Sequence, residues 1–411
     1  MDTVAALAGL HRLDQACAAD AGSLWGRSLC GPVALVDRAT RTTIANRADS
    51  SGEWSAHEHA FIGQLPAHFG LANTSFDFGG TRWAMVLLPL PADEFAGVAL
   101  LVHESFHRIQ RELSLEGLGP ACPHLDTRDG RLWLRLELRA LAVAVRTRGD
   151  SAARAARDAL VFRWHRQRLF PGADSLESQL EIQEGLAEYT GDKLALAFTG
   201  MGEARVARDI ESFEKRPSYV RSMAYASGPG LGLLLDRYSP GWRRRITPQS
   251  RLAELLAKAL RAEPPPKLDS EAGRRGGAYG LAEVQAEEEA RERDRQARAA
   301  DYRARLVDGP TLTLRASSIN FTFDPNSLVP LGDPGTAYPT GTFSAAWGKL
   351  VVESGGALVG ADFTRVVVPA PGDSEARPLR GNGWHLELAP NWMVRPRSDR
   401  PGSFEVAPVG R

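Results

Sequence analysis

The sequence LLVHESFHRI, residues 100–109, contains the pattern His-Glu-x-x-His within a run that reads as a helix. Residues four apart lie on one face of an α-helix, so the imidazoles of His103 and His107 can bind a single Zn²⁺ ion. Glu104 follows the first histidine and is placed to take a proton from a water molecule at that ion. The pattern therefore predicts zinc-dependent hydrolysis with Glu104 as general base. The alternative is an amphipathic helix with two incidental histidines.

A second helical segment, LESQLEIQEGLAEYTG at residues 176–191, offers the third protein ligand that a catalytic zinc site needs. Glu184 is the expected ligand, and Glu181 is the fallback. Glu188 follows one turn later, where its carboxylate can orient a ligating histidine from outside the coordination sphere, and Asp192 continues that face. A charged, solvated helix face is the alternative for this segment.

A third segment contains a candidate catalytic phenol. Tyr225 stands just before Ser-Gly-Pro-Gly at residues 227–230, which predicts a tight turn leading into a helix. A phenol near the metal can donate a hydrogen bond to the oxyanion that develops on an attacked carbonyl. Tyr219 is the competing candidate, and a purely packing role is open for both. Gly185 predicts close approach of the motif helix, because glycine is otherwise costly inside a helix.

Short apolar runs before the motif predict a small β-sheet. Residues 32–37 and 42–46 read as a hairpin, and residues 76–78 and 81–89 read as two strands joined by a pair of glycines. In zinc peptidases an extended substrate often adds to the edge of such a strand, so we expect the second strand to bind substrate at Trp83, Ala84 and Met85. A buried strand without a free edge is the alternative.

Composition changes along the chain predict an α+β protein with several parts. Beyond residue 310, alternating apolar residues with frequent glycine and proline are typical of an antiparallel β domain. The predicted metallopeptidase domain, residues 1–250, is mainly helical and consists of a small N-terminal sheet region (1–95) and a helical region (96–250). A charged helical linker (251–309) and the β domain (310–411) follow it.

The overall charge excludes some classes of partner. The 50 basic and 50 acidic residues balance, which argues against binding to nucleic acid or to an anionic membrane surface. No apolar run is long enough for a transmembrane helix. No signal peptide is visible, so we expect a cytoplasmic protein, or a secreted or periplasmic one if a leader has been removed. Three cysteines leave the redox compartment open.

Residues 80–236 together resemble the gluzincin group of zinc metallopeptidases, the thermolysin and aminopeptidase N type. The segment Glu-Gly-Leu-Ala-Glu-Tyr is similar to the third-ligand segment of the aminopeptidases, and a tyrosine follows in the same order. The residues that carry the resemblance are His103, Glu104, His107, Glu184 and Tyr225. The resemblance implies a Zn²⁺ cofactor and a peptide or protein substrate.

The chain also departs from that group. The interval between His107 and Glu184 is longer than in the best-known members, and Arg108 stands where an uncharged residue is usual. The Gly-x-Met-Glu-Asn segment that captures a substrate amino terminus is absent, so the resemblance does not imply aminopeptidase activity. Two other classes stay open: a different zinc hydrolase such as an amidase, and a non-catalytic binding protein on the same fold.

Overall fold

The computed structural model describes residues 2–117, 119–324 and 327–410. It confirms the predicted α+β class, with a small N-terminal sheet, a helical middle region and a C-terminal region of β-strands. The chain forms two compact units, Met1–Ala286 and Glu287–Arg411.

The first unit begins with a helix and a six-stranded mixed sheet. Its elements are α1 (Thr3–Asp20), β1 (Val33–Asp37), β2 (Thr42–Ala45), β3 (Ser55–His57), β4 (Ala60–Gln64), β5 (Thr74–Phe78) and β6 (Thr81–Leu88). The strand order is β3-β4-β2-β1-β6-β5, and β1 and β2 form the predicted antiparallel hairpin. Strand β6 runs parallel to β1 and antiparallel to β5, so it is paired on both sides.

Both faces of β6 are buried, which explains its nearly continuous apolar sequence. Side chains alternate between the faces of a strand. Trp83 and Met85 therefore pack into a cluster with Phe76 on one face, while Ala84 and Val86 contribute to the larger core that includes the helices. This arrangement anchors the sheet firmly beside the helical region.

The helical region follows the sheet directly. Its helices are α2 (Glu94–Gln110), α3 (Arg128–Arg146), α4 (Gly149–Leu169), α5 (Ala173–Leu180), α6 (Leu186–Thr199), α7 (Ala204–Phe213), α8 (Ala224–Tyr238), α9 (Leu252–Leu260), α10 (Leu268–Gly276) and α11 (Leu281–Arg303). A π-helical turn, Glu181–Gly185, joins α5 to α6 without a break. Helix α11 continues into the second unit.

Glycines allow two pairs of helices to approach closely. A Cβ atom added to Gly191 of α6 would lie 2.5 Å from the carbonyl oxygen of Ala99 on α2. A Cβ atom added to Gly228 of α8 would lie 2.3 Å from the Cα atom of Gly185. The contact expected between Gly185 and the motif helix is therefore made by Gly191, and Gly185 meets α8. Gly228 lies within α8, so the predicted turn before that helix is absent at this point.

The segment predicted as a linker at residues 251–309 belongs partly to the first unit. Leu252, Leu256, Leu260 and Leu268 are buried in the same core as the motif helix. The spacing of four residues between Leu252, Leu256 and Leu260 puts the leucines of α9 on one face, which packs on the helical region. The observed division at residue 286 therefore differs from the boundaries at residues 250 and 309.

The second unit is a sandwich of two sheets. Its strands are β7 (Thr311–Arg315), β8 (Asn320–Thr322), β9 (Val329–Pro330), β10 (Thr336–Tyr338), β11 (Gly341–Ala345), β12 (Gly348–Val352), β13 (Ala357–Val359), β14 (Arg365–Pro369), β15 (Leu379–Gly381), β16 (Trp384–Leu388), β17 (Trp392–Pro396) and β18 (Phe404–Pro408). The sheets have the orders β17-β18-β7-β14-β13-β10-β9 and β15-β16-β12-β11-β8. Leu312 and Val366 of one sheet share a buried cluster with Phe343, Leu350 and Leu386 of the other.

Within the described residues, no helix is both long enough and apolar enough to span a bilayer.

Candidate metal centre

The motif helix α2 begins at a well-formed N-cap. The carboxylate of Asp93 accepts a hydrogen bond of 2.8 Å from the backbone N–H of Ala96, which satisfies a donor that the first helical turn leaves free. Apolar side chains of α2, among them Val102 and Phe106, are fully buried in the core. This packing fixes the rotation of the helix, so that its two motif histidines face the π-helical turn.

Three ligand atoms converge between α2 and the π-helical turn. The Nε2 atoms of His103 and His107 lie 3.0 Å apart. The Oε2 atom of Glu184 lies 3.4 Å from Nε2 of His107 and 3.7 Å from Nε2 of His103. Ligands at about 2.0–2.2 Å from a tetrahedral zinc ion are roughly 3.3 Å from one another. Among the described residues, no other group of three His, Cys, Asp or Glu side chains converges in this way.

The hydrogen bonds of the two histidines fix which ring nitrogen faces this point. Nδ1 of His103 donates to Oε2 of Glu188 at 2.7 Å, and Nδ1 of His107 donates to Oε1 of Gln110 at 2.8 Å. In the neutral rings both Nε2 atoms therefore carry lone pairs. Two lone pairs and a carboxylate oxygen directed at one point form a donor set that suits a divalent cation.

The close contacts at the site shift the pKa values of its ionisable side chains. Burial opposes a charged His103 ring, but hydrogen bonds with Glu184 and Glu188 outweigh it and raise the pKa of His103 to about 10. Burial likewise opposes ionisation of Glu184, yet hydrogen bonds with His103 and His107 hold its pKa well below the usual range. The site therefore favours positive charge.

Glu104 has the environment of a general base. Its side chain is buried, and Oε2 has no hydrogen-bond partner among the described residues. Burial raises the pKa of Glu104, and the electrostatic interaction with the neighbouring His103 and His107 rings partly offsets that effect. A carboxylate with an unpaired oxygen and a raised pKa is suited to accept a proton and release it again.

The structure separates the two candidate tyrosines. The hydroxyl group of Tyr225 donates a hydrogen bond of 2.7 Å to Oε2 of Glu184, and its ring stacks on His103 at 5.6 Å between centroids. The hydroxyl group of Tyr219 instead donates to the backbone carbonyl of Glu214 at 2.6 Å, and its ring is fully buried. Only Tyr225 of these two lies at the candidate metal site.

The two carboxylates that follow Glu184 have different surroundings. Glu188 bonds to His103, as an orienting carboxylate does. Asp192 is buried one turn further, where burial and the charge of Glu188 raise its pKa. Its position on the helix face is the expected one, but no hydrogen bond joins it to the three candidate ligands within the described part of the chain.

Glu181, the fallback ligand, is held elsewhere. Its carboxylate accepts hydrogen bonds from Arg163 at 2.6 and 3.0 Å and from the hydroxyl group of Ser227 at 2.6 Å. Arg163 and Arg166 in turn bind Glu137, and Arg166 binds Glu177. We call the five residues Glu137, Arg163, Arg166, Glu177 and Glu181 the buried ionic network.

The prediction that a substrate pairs with the edge of strand β6 is wrong. Trp83, Ala84 and Met85 are buried, and β6 has a paired strand on each side, so it offers no free edge to a substrate. The edge strand next to β6 is β5. Thr74 and Ser75 of β5 line a cleft of about 270 Å³ together with the candidate metal ligands.

Two features of the site were missed in the sequence. Gln110, which binds His107, lies three residues after that histidine and seven after His103, so helical spacing places it on the same face. That signal was present in the sequence. The role of Thr74 and Ser75 depends on the order of strands in the sheet, for which the sequence offers no comparable pattern.

Comparisons with known proteins add nothing to this geometry. Neither models of protein families, nor curated proteins, nor solved structures give a significant match to the chain.

Proposed function

We propose that this protein is a zinc-dependent hydrolase that cleaves peptide bonds, similar in its site to the gluzincin metallopeptidases. The observation that carries the proposal is the convergence of His103, His107 and Glu184 beside the unpaired carboxylate oxygen of Glu104. The three side chains would hold Zn²⁺ and leave a further coordination position open. A bound zinc ion supplies a Lewis acid that polarises a carbonyl group and lowers the pKa of water.

The side chains of the cleft have separate tasks in such a reaction. Oε2 of Glu104 takes the proton from the attacking water and delivers it to the leaving nitrogen. Burial raises the pKa of Tyr225, so its phenol stays protonated and can donate a hydrogen bond to the oxygen of the attacked carbonyl. Glu188 keeps the His103 ring in the orientation that directs Nε2 at the metal.

The shape of the cleft supports an extended substrate. Strand β5 has no partner on its outer side among the described residues, and Thr74 and Ser75 bring that edge to the cleft. A peptide can pair with such an edge through its backbone, which places a peptide bond near the metal site irrespective of side-chain sequence. A second cavity of about 400 Å³ shares the lining residue Gln183 with the cleft, and flanking residues of a bound peptide would have room there.

The decisive experiment compares wild-type protein with Glu104→Gln. Both are incubated with a mixed peptide library, with and without a chelator, and cleavage is read by mass spectrometry while bound zinc is measured by elemental analysis. We expect chelator-sensitive cleavage by the wild type. Glu104→Gln should retain zinc but lose about 10²–10⁴-fold in rate, because the proton acceptor is gone.

Glu94→Gln is the matched control. Glu94 lies on the same helix, but its exposed carboxylate pairs with Arg12 on the surface. This variant should cleave like the wild type. Cleavage by Glu104→Gln at the wild-type rate would overturn the proposed mechanism, and a wild type that binds zinc but cleaves no peptide would overturn the proposed substrate class.

A further inference from the structure

We infer that Gln110 is a positioning residue that couples two candidate zinc ligands, His107 and Glu184, through the two ends of its side-chain amide. This inference rests on the proposed zinc site and assigns a function to a residue outside the His-Glu-x-x-His motif. Gln110 lies in the last turn of α2 and is almost completely buried.

The oxygen end of the amide faces the motif histidine. Oε1 accepts a hydrogen bond of 2.8 Å from Nδ1 of His107, which leaves Nε2 of that ring free to bind a metal. Partners of this kind fix the ring orientation and the tautomer of a ligating histidine. For His103 the same task falls to the carboxylate of Glu188, so the two histidines are supported by chemically different groups.

The nitrogen end of the amide faces the π-helical turn. Nε2 donates to the backbone carbonyls of Ile182 and Gln183, each at 3.0 Å. In an α-helix the carbonyl of Ile182 would accept from the N–H of Leu186. Here that N–H bonds to the carbonyl of Glu181 instead, which is the i to i+5 pattern of a π-turn. Gln110 therefore supplies a donor to a buried carbonyl that the turn has released.

The π-turn has a direct effect on the ligand set. Its extra residue changes the helix register between Glu181 and Gly185, and the carboxylate of Glu184 faces the histidines while Glu181 points into the buried ionic network. Gly185 and Gly228 permit the backbone contact that this path of the chain needs. By binding the turn and His107 together, Gln110 holds the spacing between the second histidine and the third ligand.

An amide is the group that these contacts require. A carboxylate at this position would accept the hydrogen bond from His107, but its second oxygen would face two backbone carbonyl oxygens and repel them. A methionine would fill the space but form neither the bond with His107 nor the bonds with the turn. Gln110→Glu and Gln110→Met therefore disrupt the coupling in two different ways. The Glu variant removes the link to the turn, and the Met variant removes both links.

The test measures metal binding rather than turnover. The dissociation constants of Zn²⁺ and Co²⁺ are determined by competition with a chromophoric chelator for wild-type protein, Gln110→Met and Gln110→Glu. The visible absorption of bound Co²⁺ reports the coordination geometry. We expect both variants to bind about 10- to 100-fold more weakly, with altered Co²⁺ absorption, because loss of an orienting partner typically costs that much.

Gln167→Met is the matched control, because it removes one glutamine side-chain hydrogen bond, the 3.0 Å bond to Glu177, away from the ligands. It should leave metal affinity and the Co²⁺ spectrum unchanged. Wild-type affinity and spectrum in either Gln110 variant that folds, as judged by circular dichroism, would overturn the inference alone. A wild type that binds neither metal would overturn the proposed zinc site, and the inference with it.

Discussion

At the scale of single residues, the hydroxyl groups of Tyr225 and Tyr219 form hydrogen bonds with different functions. The Tyr225 hydroxyl reaches a candidate metal ligand, while the Tyr219 hydroxyl closes a backbone turn at Glu214. The ring of Tyr225 also stacks on His103, nearly parallel at 6°. Removal of the hydroxyl group alone therefore leaves the ring contact in place and isolates the contribution of the phenol.

We expect Tyr225→Phe to lower kcat by about 10²–10³-fold, the usual loss when one donor to a developing oxyanion is removed. KM should change much less, since the hydrogen bond forms mainly in the transition state. Steady-state kinetics on a peptide cleaved by the wild type provides the measurement.

Tyr219→Phe serves as the comparison for Tyr225→Phe. It should lower the free energy of unfolding by about 1 kcal/mol through the lost bond to Glu214 but keep kcat. Equal kcat for wild type and Tyr225→Phe would show that the phenol does not take part in the reaction.

At the scale of elements, the buried ionic network ties the helices behind the metal site together. Glu137 lies on α3, Arg163 and Arg166 on α4, Glu177 on α5 and Glu181 at the start of the π-helical turn. All five side chains are essentially inaccessible to solvent. Removal of one charge from such a network leaves its partner buried without compensation, at a cost of about 3–5 kcal/mol.

The network makes stability depend on pH in a defined direction. Burial alone would raise the pKa of Glu177, but the charge of Arg166 and the hydrogen bond from His124 outweigh it and hold the pKa well below the ordinary value of 4.5. A carboxylate whose pKa is depressed by folding stabilises the folded state at pH above 4.5, and this stabilisation is lost as the pH falls below that value.

Glu177→Gln should therefore lower the free energy of unfolding by about 3–5 kcal/mol at pH 7. The difference from the wild type should shrink as the pH falls from 5 towards 3, because Glu177 of the unfolded wild-type chain, whose pKa is ordinary, then binds a proton and the wild type loses stability. Urea titrations followed by circular dichroism at several pH values measure this dependence.

Glu254→Gln provides the reference, since Glu254 forms an exposed ion pair with Arg251. It should change the stability by less than about 0.5 kcal/mol at any pH. A pH-independent difference between wild type and Glu177→Gln would contradict the depressed pKa of Glu177.

Local spacing predicted much of the candidate site. Side chains four residues apart share one face of a helix, independently of the rest of the fold. This spacing predicted that His103 and His107 lie side by side, and likewise Glu184 and Glu188. The structure brings these four residues together. The π-turn lies outside this reasoning, since an extra residue in a helix depends on tertiary partners such as Gln110 and Arg163.

Features set by pairing between distant segments were harder to predict. The apolar run at β6 is equally consistent with an edge and with a central strand, and its pairing with both β1 and β5 decides the question. Helices α9 and α10 looked like part of a linker because the charged run that follows dominates the composition. The buried face of α9 packs on the helical core, but only a few leucines in the sequence indicate this contact.

At the scale of the whole molecule, the two units have separate hydrophobic clusters. The candidate metal ligands lie in the first unit, Met1–Ala286, and the sandwich core lies in the second, Glu287–Arg411. A ligand that binds only the folded state stabilises the unit that contains its site. Zinc should therefore act on one unit only.

Differential scanning calorimetry should resolve two unfolding transitions, of which only one responds to zinc. At a free zinc concentration about 1,000 times the dissociation constant, the first unit gains about 4 kcal/mol, which raises its Tm by on the order of 10 °C. Excess chelator should reverse this shift. Equal shifts of both transitions, or no shift, would contradict a specific site in the first unit.

The construction of the site from distant chain segments also bears on how long the native state persists. His103 and its partner Glu188 are 85 residues apart, and Gln110 is 72 residues from the carbonyl of Ile182. Contacts over such intervals require extensive chain closure, so we expect the candidate ligand set to be completed late in folding. An interaction that is absent from the folding transition state slows unfolding and leaves the folding rate nearly unchanged. Zinc would thus prolong the lifetime of the folded chain, and a metal-depleted environment would shorten it.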